Sequence, residues 1–117
     1  DLGPGIRESQ NHQEITYKLS ECMTCGCCVE ACPQYSLNNN FLGAAAISQS
    51  RLFNMHPTAK NIADERLDTL MQEGGIADCG NAQNCVEACP KSIPLTESIA
   101  EIGRQVSGKL WSNIFQA

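Results

Sequence analysis

Two cysteine runs constrain everything else in this chain. Residues 22–33 read CMTCGCCVEACP and residues 79–90 read CGNAQNCVEACP. Set one above the other, Cys22, Cys28 and Cys32 fall on Cys79, Cys85 and Cys89, and Pro33 falls on Pro90, but Cys25 falls on Ala82. Seven of the eight cysteines thus belong to one pattern, complete in the first copy and one short in the second. The spacings are too short for a set of cross-links, and no signal-peptide pattern opens the chain, so metal binding in a reducing compartment is expected rather than a disulfide scaffold. A length of 117 residues suits one domain with a modest core. The opening DLGPGIRESQ has no initiating Met and a linker-like composition, so residues 1–10 are expected to be a linker in a piece of something longer.

The remaining patterns are helical. Residues 62–73, IADERLDTLMQE, put Ala63, Leu67, Leu70 and Met71 on one face, with Asn61 as the N-cap and Gly74 and Gly75 as the stop. Residues 42–54, LGAAAISQSRLFN, form an alanine-rich helix that ends before Pro57. From Pro94 onward, Leu95, Ile99, Ile102 and Val106 recur at helical spacing, and Leu110, Trp111, Ile114 and Phe115 extend that face to the end, past Gly103 and Gly108. A shorter helix is predicted around HQEITYKLS, ahead of the first cysteine. No useful period-2 alternation occurs, so the expected fold is a single all-α domain over 1–117. A net charge of −5 and a pI near 4.9 argue against a nucleic-acid partner. No apolar run approaches the roughly 20 residues of a transmembrane span, so a soluble chain able to dock on a membrane protein is expected.

The spacing of the cysteines carries chemistry. C-x2-C-x2-C-x3-C-P is the bacterial ferredoxin run, in which three closely spaced thiolates grip one iron-sulfur cluster and the fourth ligates another. Applied here, Cys22, Cys25 and Cys28 share a cluster with Cys89, while Cys32 crosses to join Cys79 and Cys85. The second set has three thiolates, because an alanine methyl at position 82 cannot bind iron. The register therefore predicts a 3Fe-4S centre beside a 4Fe-4S centre. Structural zinc is the competing reading, but zinc sites use C-x2-C pairs with free loops between them, which leaves the x3-C-P endings unexplained. With aromatics at 5% of the chain, the clusters are expected at the centre of the core, coupling folding to metal loading.

Beyond the cysteines, SQSRLFNMHPT, ERLDTLMQEGGIADCGNAQNC and CPKSIPLTESIA resemble the C-terminal domain of the iron-sulfur subunit of succinate dehydrogenase and fumarate reductase, above all its Bacillus-type form. The resemblance implies an α-helical ferredoxin domain with a 4Fe-4S cluster on Cys22, Cys25, Cys28 and Cys89 and a 3Fe-4S cluster on Cys32, Cys79 and Cys85. That family's N-terminal 2Fe-2S domain has no counterpart here. The resemblance further implies an oxidoreductase of the tricarboxylic acid cycle and respiratory chain, peripheral on the cytoplasmic face of the cell membrane. Electrons leave succinate at FAD in a flavoprotein subunit and pass through the clusters to quinone beside a membrane anchor subunit. No substrate is oxidised in this domain, and no catalytic residue is expected. Ubiquinone-reducing relatives carry a tryptophan pair after the first motif and a histidine after the first cysteine of the second. Here Ser36, Leu37 and Gly80 stand there, which points to menaquinone or to a pocket made mainly by the anchor. A cluster subunit of a related soluble reductase is the runner-up, although such subunits usually keep both runs complete.

Other residues receive plainer expectations. Amides near Gly26 and Gly80 are candidate donors to the clusters, or mark only tight turns. Pro33, Gln34 and Tyr35 read as loop. His12 and His56 read as surface or helix-end residues, Arg51, Lys91 and Arg104 as solvated charges, and Trp111, Ile114 and Phe115 as packed within the domain. Cys27 is left over after seven ligands, and is expected to be small, buried and free of iron. Cys27→Ala should accordingly leave the iron content of the purified protein unchanged, and loss of a cluster in that variant would overturn the register of the first motif.

Overall fold

The computed structural model describes residues 3, 5, 7–36, 38, 40–80 and 82–116, with Gln116 described by its backbone alone. Leu37 and residues 1, 2, 4 and 6 of the expected linker lie outside the described residues. Among the described residues six α-helices follow one another: α1 (Gln10–Leu19), α2 (Cys27–Ala31), α3 (Ala44–Met55), α4 (Ala63–Met71), α5 (Asn84–Ala88) and α6 (Leu95–Gln116). Short 3-10 turns at Ala59–Ile62 and Ile76–Asp78 precede α4 and the second cysteine run, and no strand occurs among the described residues. The all-α expectation therefore holds.

Local chemistry sets the helix ends. Ser9 caps α1, its Oγ accepting the His12 N–H at 3.1 Å. Helix α3 stops at Met55 because His56 precedes Pro57 and is extended (ψ 136°). The His56 Nδ1 then accepts N–H bonds from Thr58 and Ala59, each at 3.2 Å, so this histidine works at a helix end as expected. At α4 the sequence reading needs correction. Asn61 lies inside the 3-10 turn, its N–H bonded to the Thr58 carbonyl, and the helix begins at Ala63 without a side-chain cap. Asp64 and Glu65 in its first turn complement the helix dipole instead.

Helix α3 packs along α6, and α1, α2 and α4 pack against this pair. Ser48 and Ser98, both buried, meet Oγ to Oγ at 3.4 Å across α3 and α6, and Arg51 donates from Nη1 to the Ser98 Oγ at 3.2 Å. Arg51 is thus an interhelical group rather than the solvated charge expected. Two apolar groups form the core, one around Leu19, Ala44, Ile93 and Leu95, the other around Phe41, Ile47, Leu67, Leu70, Ile102 and Val106, with Ile99 packed on both. Cysteines belong to each: Cys28 and Cys85 to the first, with Cys22 and Cys89 beside them, and Cys32 and Cys79 against the second.

A close backbone crossing ties α3 to the second cysteine run. The Leu42 N–H donates to the Gly74 carbonyl at 2.9 Å, and the Gly74 N–H donates to the Asp78 carboxylate at 2.8 Å. A Cβ at Gly74, where φ is 88°, would lie 2.1 Å from the Asn40 carbonyl oxygen, so only glycine lets these segments touch. The end of α6 departs from expectation. Lys109 pairs with Asp68 of α4 at 2.9 Å. Beyond this anchor Trp111, Ile114 and Phe115 are 64%, 67% and 71% exposed, so they are not packed within the domain as expected. No helix is long and apolar enough to cross a membrane, among the described residues.

Candidate metal centre

The two cysteine runs repeat in conformation as well as in sequence. In the first, Gly26 takes the left-handed conformation (φ 82°, ψ 0°), α2 follows, and Cys32 leaves it extended (φ −80°, ψ 122°). In the second, Gln83 takes that left-handed turn (φ 67°, ψ 6°), α5 follows, and Cys89 leaves extended (φ −68°, ψ 116°). Each run thus wraps its first cysteines around a loop and carries its last one away on a single helical turn. Helices α2 and α5 pack on each other, so the last cysteine of each run arrives beside the loop of the other.

The result is two cavities. One, with about 380 Å³ of empty space partly open to solvent, has Cys22, Cys25, Cys28 and Cys89 on its wall, with Met23, Ile93 and Leu95 among its other lining residues. The second, also partly open, has Cys32, Cys79, Cys85 and Ala82 on its wall, with Gln34, Gln83, Asn84 and Thr96 among its other lining residues. The seven cysteines singled out by spacing are brought together in the same four and three, and Ala82 stands in the set of three. Among the described residues, no three His, Cys, Asp or Glu side chains converge as they would on one metal ion. As a donor set, thiolates select zinc, copper(I) or iron-sulfur clusters.

Cys28 and Cys85 are buried, Cys22, Cys32, Cys79 and Cys89 half-buried, and Cys25 exposed. Burial pushes the Cys28 thiol up from its ordinary value, opposed by N–H bonds from Ala45 and Val29, and the neighbouring Cys22 pushes the same way as burial. Burial also raises Cys85, opposed by the Val86 N–H and reinforced by the charges of Cys28, Cys32 and Cys79. Gathered thiolates repel one another, and a cationic iron core removes that penalty. Cys25 is held below its ordinary value, chiefly by the N–H of Cys27. Cys27 itself is exposed, not buried as expected, because it opens α2 on the outer side of the loop. Its thiol bonds to the Cys25 sulfur, which raises it.

The amides that meet sulfur include that of Cys27, next to Gly26 as expected, and those of Val29, Ala45 and Val86, which lie away from Gly80. Gly26 supplies the turn. Gly80 lies under the Gln34 side chain, where a Cβ would come within 2.8 Å of Nε2. Ala45 belongs to α3, outside either run, and only the small-residue stretch Gly43–Ala46 hints at it in the sequence.

A family model described as 4Fe-4S dicluster domain matches residues 18–93, which include both cysteine runs and both cavities' cysteines. This chain belongs to the 4Fe-4S dicluster family. The dicluster domain is also similar to curated proteins. It is 53% identical over 115 residues to the succinate dehydrogenase iron-sulfur subunit of Bacillus subtilis, spanning 98% of this chain and 46% of that protein. It is 28% identical over 99 residues to the fumarate reductase iron-sulfur subunit of Wolinella succinogenes, covering 85% of this chain and 41% of that one. With the fumarate reductase iron-sulfur subunit of Haemophilus influenzae it shares 35% identity over 96 residues, 79% of this chain and 35% of that subunit. The chain thus spans less than half the length of these relatives.

The thiol environments make the metal-free dicluster domain unevenly reactive. Exposed and favoured as thiolate, Cys25 should be alkylated by iodoacetamide before Cys28 and Cys85, as read by mass spectrometry over time. Faster labelling of Cys28 or Cys85 would contradict the burial described above.

Proposed function

We propose that this dicluster domain is the cluster-bearing, C-terminal part of the iron-sulfur subunit of a succinate:quinone oxidoreductase, and that it relays electrons between a flavoprotein subunit and quinone. In this reading Cys22, Cys25, Cys28 and Cys89 hold a 4Fe-4S cluster, and Cys32, Cys79 and Cys85 hold a 3Fe-4S cluster. One observation carries it: the runs exchange their last cysteines, leaving a four-cysteine cavity beside a three-cysteine cavity whose wall includes Ala82. The similarity to succinate dehydrogenase and fumarate reductase subunits supplies the reaction. A structural zinc site would use C-x2-C pairs with free loops between them, which leaves the crossing of Cys32 and Cys89 unexplained.

Bound clusters supply one-electron storage at potentials set by cluster type, charge and surroundings. The protein's residues do the rest. Cys28 and Cys85 sit on the buried side of each cavity and limit water there, while the amides of Val29, Ala45 and Val86 offset the negative charge of sulfur. FAD and a 2Fe-2S cluster belong to other parts of the complex in this reading, with a membrane anchor subunit holding the domain at the cytoplasmic face of the membrane. Menaquinone is the proposed acceptor, since Ser36 and Gly80 stand where ubiquinone-reducing relatives place larger ring-bearing residues. Potential follows cluster type, and the three-thiolate site is in this reading the one that accepts an electron more readily, which suits the last relay before quinone.

Two variants test the reading. In the assembled complex, Cys32→Ala should abolish quinone reduction while succinate oxidation with an artificial acceptor upstream is less affected; equal loss of both would remove the domain from the end of the chain of relays. Ala82→Cys, reconstituted with iron and sulfide, should gain an iron and lose the EPR signal of an oxidised 3Fe centre, with a lower potential. Persistence of that signal at unchanged potential in a fully loaded variant would show that residue 82 is not at the vacant corner.

A further inference from the structure

The first turn of α3 stands between the two cavities. Ala44, its first residue and 3% exposed, is on the wall of the three-cysteine cavity, and the next residue, Ala45, is on the wall of the four-cysteine cavity. The Ala45 N–H donates to the Cys28 sulfur. The opening N–H groups of any α-helix have no acceptor within the helix and carry the positive end of its dipole. A Ser, Thr, Asp or Asn cap commonly occupies them. Here the N-cap is Gly43, no side chain caps the turn, and its first residues include no acid.

The approach of this helix end is built, not incidental. Ala44, Ala45 and Ala46 have the smallest side chains that still favour a helix, so the backbone itself can reach the cavities. Gly43 has φ 90° and ψ 165°, a conformation essentially restricted to glycine. A Cβ there would lie 2.5 Å from Cγ1 of Val29, the residue of α2 that follows Cys28. Gly43 thus lets α3 press its first turn against a helix whose Cys28 lines one cavity and whose C-cap, Cys32, lines the other. What separates this terminus from an ordinary one is that it abuts both members of a cysteine-lined pair and already bonds to a sulfur in one of them.

We propose that Ala44 and Ala45 serve as paired potential-tuning positions, their backbone amides raising the reduction potentials of the two clusters, Ala44 for the three-cysteine site and Ala45 for the four-cysteine site. This rests on the cluster assignment proposed above. Reduction adds negative charge to an already anionic group, and N–H donors at a helix N-terminus stabilise the reduced form more than the oxidised one. One helix turn thereby lifts both sites together and leaves the difference between them to cluster type and side chains. Gly43 is the positioning residue for both.

Proline separates the two contributions, because the first turn of a helix tolerates a residue without an N–H. Ala44→Pro and Ala45→Pro are made in the full-length protein as the cell assembles it, and midpoint potentials are read by EPR-monitored redox titration, with iron, sulfide and helix content measured alongside. The expected result is a lowered potential at the three-cysteine site in Ala44→Pro and at the four-cysteine site in Ala45→Pro, each with the other site unchanged. Loaded variants whose potentials do not move, or that shift both sites equally, overturn the proposal. Should proline prevent loading, Ala46→Glu is compared with Ala46→Gln; both keep every amide, and the added carboxylate in the same turn should lower both potentials relative to the glutamine variant. Identical potentials in that pair overturn the proposal as well. Absence of iron and sulfide from the unsubstituted protein would instead sink the cluster assignment, and the two failures cannot be confused.

Discussion

Bringing seven thiol-bearing side chains into two adjoining cavities sets the terms for the rest of this fold. Cys85 is pushed up by burial and by the charges of Cys28, Cys32 and Cys79, and Cys28 by burial and by Cys22. Such groups stay together as thiolates only around positive charge, so a bound cationic core would hold the two runs in place. The apolar core is arranged to suit. It falls into two groups bridged by Ile99, and cysteines pack in or against each. Polar ties fix the surrounding frame: Lys18 Nζ donates to the Lys91 carbonyl at 2.8 Å, holding the segment after Cys89 against α1, and Asn84 Nδ2 donates to the Ala31 carbonyl at 3.1 Å, joining α5 to α2.

Much of this was legible in the sequence because ligand spacing is a local property. Three cysteines at x2 intervals must share a loop, and x3-C-P must send the last one elsewhere, so the grouping of four and three could be read without knowing where the helices go. Helix boundaries followed wherever a residue has a strict backbone preference, as at His56 before Pro57. The α4 start was misread because Asn61 is a good cap by composition, while the preceding 3-10 turn had already used its N–H. Arg51 and Cys27 were misread for the opposite reason. Their surroundings come from segments far away or from the local side of a turn, and neither is encoded in residue type. Ala45 was missed because a backbone amide has no residue signature at all.

The divergence between the two runs carries more than the lost cysteine. Gly26 becomes Gln83, which holds the same left-handed turn at a cost of roughly 1 kcal/mol that glycine does not bear. Cys27 becomes Asn84, whose amide bridges to the first run. Gln34, after the crossing Cys32, stands where Lys91 follows the crossing Cys89. Gln34, Gln83 and Asn84 are among the residues around the three-cysteine cavity, and Met23, Ile93 and Leu95 among those around the other. The second run thus keeps the backbone path of the first while changing its residues: the left-handed turn is retained at Gln83 in spite of its cost, and Asn84 makes the position of the exposed Cys27 into a tie between the two runs.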